Sequence, residues 1–94
     1  MIWVYYMDEF AGIDFPGEPD VQEMVNIARA EAKRRGVSGD ICYLEIGNYI
    51  IVEVRPQEGA AVKLIRADNP AKALEEFYRH ERECAVYSLQ RPEP

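Results

Sequence analysis

Hydrophobic positions along the chain change period several times, and each change marks a predicted element. Ile2 to Met7 is apolar on both sides, with Ile2, Val4 and Tyr6 pointing one way and Trp3, Tyr5 and Met7 the other, which predicts a strand interior to a sheet. Asp8 to Asp20 contains two glycines and two prolines and holds no period, so it reads as a long loop. From Val21 the spacing becomes helical, through Met24, Val25, Ala28 and Ala32. Asp20 and Glu23 have capping-box spacing at the start of this helix. Lys33, Arg34 and Arg35 suit the negative end of its dipole, and Gly36 suits a left-handed cap.

Asp40 to Arg55 predicts two strands joined by a tight turn at Gly47 and Asn48. A two-residue loop would pair Ile46 with Tyr49 and place Glu53 on the same face as Cys42 and Leu44. Because a buried carboxylate is costly, the expected register is odd by one residue. That register gathers Cys42, Leu44, Ile46, Ile50, Val52 and Val54 on one face and leaves Ile41, Tyr43, Glu45, Ile51, Glu53 and Arg55 on the other. Pro56 to Gly59 is a turn, and Ala60 to Arg66 adds a third strand to an antiparallel meander. Asn69 and Pro70 open a second helix whose expected buried stripe is Ala71, Leu74, Phe77 and Tyr78. Cys84 to Leu89 is a final strand.

The order strand, helix, three-strand meander, helix, strand predicts an α+β fold, with a mostly antiparallel sheet and both helices on one face. If the third meander strand is discounted, the order has a likeness to the ferredoxin-like βαββαβ arrangement, an architecture that serves many functions. With 94 residues the chain supports one core, so residues 1–90 are expected to form a single domain and 91–94 a tail. A helix-free sheet face carrying Trp3, Tyr5, Ile41, Tyr43 and Ile51 would be too apolar to leave in water, which predicts a homodimer through those five residues.

Charge narrows the classes of function. The chain has 17 acidic and 11 basic residues, a net charge of −6, which argues against nucleic acid and anionic membranes as partners. MIWVYYM is too short an apolar run for a signal peptide or a membrane span. Cys42 and Cys84 lack CxxC spacing and sit among apolar neighbours, so they read as reduced, buried thiols of a cytoplasmic protein. His80 has Glu76 and Cys84 one helical turn away, but a single histidine and two cysteines do not complete a zinc site or an oriented nucleophile. There is no phosphate-binding glycine loop and no nucleophile elbow, so the reading names no catalytic residue, metal or cofactor.

Asp8, Glu9 and Asp14, interleaved with Phe10 and Phe15, form a candidate loop site, although their spacing does not match a calcium loop. Taken together, these features predict a small acidic cytoplasmic binding module that engages another, basic protein as an inhibitor, immunity or adaptor protein. The alternative is a small dimeric ligand-binding protein or enzyme with a pocket beneath the 8–20 loop, where apolar surroundings would tune a carboxylate or a tyrosine.

Overall fold

A computed structural model of the protein describes residues 1–87. The elements in chain order are β1 (Ile2–Tyr6), β2 (Glu9–Ile13), α1 (Val21–Arg34), β3 (Asp40–Ile46), β4 (Tyr49–Arg55), β5 (Val62–Arg66), α2 (Pro70–Arg79), a 3-10 turn over Glu81–Glu83 and β6 (Ala85–Val86). All six strands form one antiparallel sheet in the order β2-β1-β5-β4-β3-β6, so the fold is α+β. No helix among the described residues is long and apolar enough to cross a membrane.

The signals at the ends of α1 act as their chemistry dictates. Asp20 accepts from the Glu23 amide at 2.9 Å while Glu23 accepts from the Asp20 amide at 3.2 Å, which closes the capping box. At the other end Gly36 adopts φ +72°, and the amides of Gly36 and Val37 bond back to Lys33 and Ala32 in a Schellman arrangement. Met24, Val25, Ala28 and Ala32 are buried. On α2, Ala73, Leu74 and Phe77 are buried, whereas Ala71 and Tyr78 of the expected stripe are exposed.

Five of the thirteen residues of the expected 8–20 loop form a strand. Met7 and Asp8 form a two-residue turn with φ of +52° and +65°, and Glu9–Ile13 folds back on β1 with Tyr6 facing Glu9 and Ile2 facing Ile13. Positive φ at both central residues is the type I′ hairpin geometry, which is normally filled by Asn-Gly or Asp-Gly. Met-Asp carries no such signal, and a methionine held in this region costs about 1–2 kcal/mol. Met7→Asn is therefore expected to raise stability by about 1 kcal/mol in urea unfolding. A lowered midpoint would mean that the Met7 side chain contributes more than its backbone costs.

The helices do not share a face. Ile2, Val4, Ile41, Ile50, Val52, Val54, Val62 and Leu64 pack with α1, whereas Leu44, Ile51 and Ile65 pack with Ala73, Leu74 and Phe77 of α2. Successive residues of one strand point to opposite sides, so the alternation within β4 and β5 puts one helix on each side of the sheet. The β3–β4 turn also corrects the expected register. Ile46 pairs with Tyr49 and Cys42 with Glu53, the even register that the cost of a buried carboxylate argued against. Only Gly47 of the turn residues has positive φ, +57°, as a two-residue type II′ loop requires.

The C-terminal strand is shorter than expected. Cys84 lies outside it, β6 spans Ala85–Val86, and Ser88 and Leu89 lie beyond the described residues, as does the expected 91–94 tail.

Candidate functional site

On the α2 side of the sheet the register lines up one residue from every strand. Val86 pairs with Cys42, Cys42 with Glu53, Glu53 with Lys63, Lys63 with Tyr5 and Tyr5 with Phe10. Directly opposed residues of antiparallel strands share a face, so these six side chains form a continuous row across the molecule. The row passes from a sulfur through a buried ion pair to an exposed aromatic edge.

At its centre Glu53 and Lys63 are 3% and 7% exposed, and their charged atoms are 3.3 Å apart. Arg55, two residues along β4 and on the same face, donates to Glu53 Oε1 from Nε at 3.1 Å and from its terminal nitrogen at 2.6 Å. Two cations therefore answer the carboxylate, which is why the even register is tolerated. Rings enclose the Lys63 ammonium, with the centroids of Tyr5, Phe77 and Tyr78 at 5.7, 5.8 and 5.4 Å.

On one side of Glu53, Cys42 and Cys84 are joined in a disulfide with Cα atoms 5.5 Å apart, and Cys42 Sγ lies 3.8 Å from Glu53 Oε1. The expectation of two reduced thiols is overturned, and with it the argument from those thiols for a cytoplasmic location. The even register turns Cys42 toward α2, and the 3-10 turn after α2 brings Cys84 over it. His80 ends α2 near Glu76 and Glu83, 3.9 and 3.3 Å away, and Cys84 is already bonded, so the two do not pair as nucleophile and base.

At the other end the row reaches the sheet edge. The Tyr5 ring packs on Phe10 with centroids 4.7 Å apart. Its hydroxyl donates to Asp8 at 3.0 Å, and that hydrogen bond raises the phenol's pKa above its ordinary value. Tyr5, Met7, Asp8, Ala60, Ala61, Lys63 and Tyr78 line an open cleft of about 420 Å³. Beside it β2 is the terminal strand, with Glu9 to Gly12 all exposed. The Trp3 indole packs over Gly12, its ring 3.5 Å from where a Cβ would stand, an ordinary contact distance.

The structure separates the residues expected to act together. Trp3, Tyr5 and Ile51 are on the α2 face, Ile41 and Tyr43 on the α1 face, and Ile41 and Ile51 are buried at 8% and 0% exposure. They do not form one patch, and each face of the sheet carries a helix. Of the loop residues, Asp8, Glu9 and Phe10 gather at the β1–β2 turn, Asp14 is exposed, and Phe15 folds against the α1 core. Glu18, near the end of that segment, lines a cleft of about 530 Å³ together with Asn48, Tyr49, Arg66 and Asp68.

One charge signal was present in the sequence and is informative only with the fold in view. The first 28 residues hold six carboxylates (Asp8, Glu9, Asp14, Glu18, Asp20 and Glu23) and no lysine or arginine, which equals the net charge of the whole chain, −6. All six are exposed, at the turn before β2, in β2, in the segment after it and in the first turn of α1. Comparison with protein-family models, with curated proteins and with solved structures gives no match.

Proposed function

We propose that the chain is a small acidic binding module of the inhibitor, immunity or adaptor type, which takes up a basic, extended segment of another protein along the β2 edge. The observation that carries this reading is the edge itself. β2 ends the sheet, its first four residues are exposed, and its only charge is Glu9. Edge strands are commonly shielded by lysines, proline, a bulge or extreme shortness, and an unshielded edge offers a row of amides and carbonyls to an incoming strand. At the opposite edge the two-residue β6 pairs with Cys42 and Tyr43 of β3.

Charge selects the partner's chemistry. Asp8 and Asp14 flank β2 and Glu9 stands within it, with Glu18 and Asp20 following, so lysine or arginine side chains on the added strand meet complementary charge. Phe10 and Met7, 37% and 66% exposed, supply apolar contact at the same edge.

Titrating isotope-labelled protein with a synthetic peptide of alternating lysine and valine tests the reading. Amide shifts should concentrate on residues 9–13, and affinity should fall as salt rises. The Glu9→Lys/Asp14→Lys variant should bind at least tenfold more weakly. Shifts centred elsewhere, or binding insensitive to salt, would count against a basic strand at this edge. Self-pairing through β2 at high micromolar concentration would assign the edge to a second copy of the chain instead.

A further inference from the structure

The Cys42, Cys84 and Glu53 cluster lies away from the β2 edge and has a use of its own. One ligand atom from each of the three lies within 4.8 Å of the others, with Cys42 and Glu53 buried and Cys84 half-buried. We infer that the reduced protein binds one zinc ion through the thiolates of Cys42 and Cys84 and the carboxylate of Glu53, so that the redox state of the cysteine pair decides whether the metal is held.

A dithiol reductant transfers two electrons and two protons to the disulfide, becomes a cyclic disulfide itself, and leaves thiols at positions 42 and 84. The metal then displaces both protons. Two thiolates and a carboxylate form a donor set suited to a borderline-soft divalent ion, with a fourth position for water on the half-buried Cys84 side. Zinc–sulfur bonds of about 2.3 Å and zinc–oxygen bonds of about 2.0–2.2 Å put tetrahedral ligand atoms roughly 3.5–3.8 Å apart. Cys42 Sγ and Glu53 Oε1 already stand 3.8 Å apart. Cys84 has to withdraw from bonding distance, and it sits just after a 3-10 turn and outside the ladder.

The surroundings are arranged for such a ligand. Lys63 holds Glu53 Oε2 at 3.3 Å and leaves Oε1 facing the sulfurs, the kind of outer support that orients a metal-binding carboxylate. Arg55 occupies Oε1 at present, but its side chain is 52% exposed and already lies 3.8 Å from Glu81, so it has another carboxylate to turn to. Two thiolates with Glu53 and Glu81 balance Lys63, Arg55 and a divalent ion. The ion would tie the segment after α2 to β3 when the covalent link is absent.

The test uses the full chain, reduced and freed of reductant under anaerobic conditions, then titrated with cobalt(II) as a spectroscopic stand-in and back-titrated with zinc. Saturation at one equivalent is expected, with thiolate-to-cobalt charge-transfer absorption and visible bands of tetrahedral intensity that zinc abolishes. Oxidised protein should give neither. Glu53→Gln should weaken cobalt binding at least tenfold, and Cys84→Ser should cut the charge-transfer intensity by about half, since one thiolate remains. Should Glu53→Gln fail to fold, comparison of the two redox states of the unmodified chain still decides the matter. Identical titrations of reduced and oxidised protein, no saturation at one equivalent, or a folded Glu53→Gln variant with unchanged affinity would overturn the site.

Discussion

Reducing the Cys42–Cys84 disulfide, with a chelator present to keep metal away, is expected to lower the unfolding free energy by about 4 kcal/mol. The bond joins residues 42 apart in sequence, and a loop of that length restricts the unfolded chain by an entropy worth that much at room temperature. Against the 5–15 kcal/mol typical of a domain, the loss is a large fraction of the total. In the folded state the bond anchors the segment after α2, where β6 contributes two residues to the sheet and the Tyr87 amide bonds to Ile41. Urea unfolding with and without a phosphine reductant measures the effect. Coincident midpoints would show that the link constrains nothing that the sheet does not already fix.

The second large effect concerns the buried ion pair. Lys63→Met should destabilise the protein by about 3 kcal/mol, because Glu53 would stay buried with Arg55 alone, and Arg55 is half in solvent. Replacing both members, as Glu53→Leu/Lys63→Met, should recover most of that loss, since an apolar pair of similar volume carries no desolvation cost in a site walled by Phe77, Tyr5 and Tyr78. A double-mutant cycle in urea gives the coupling directly. If the double variant is less stable than Lys63→Met, the pair is contributing net stability and the desolvation argument fails here.

How far the sequence reaches depends on how local each determinant is. The limits of α1 were legible because the capping box and Gly36 act within a few residues of themselves. The two strands either side of Gly47 were legible for the same reason. The register of that hairpin was not, because the carboxylate of Glu53 looked unburiable until β5 brought Lys63 beside it, and no pattern inside Asp40–Arg55 records that neighbour. β2 escaped notice because its turn is built from Met7 and Asp8 rather than from residues that favour positive φ.

The placement of the helices hinged on β4, where Ile50 through Val54 are buried without a break. A strand covered on both sides reads as a continuous run, which by itself does not say that a helix lies on each side. At the candidate edge, Asp8, Glu9 and Phe10 were legible as chemistry but not as a strand end. The cysteine pair was invisible as a pair, because nothing in sequence links positions 42 and 84.

The strand order also governs how the chain comes together in time. β1 is made first yet lies between β2 and β5, so Ile2 meets Arg66 only after most of the chain exists. The sheet therefore divides into a β1–β2 hairpin and a β3–β4–β5 meander, each held by pairing of near neighbours in sequence and joined by the β1–β5 seam alone. Closing that seam requires ordering nearly the whole intervening chain before its contacts give anything back, which makes it the slow step of folding. During synthesis the N-terminal hairpin waits with both edges open until β5 has left the ribosome.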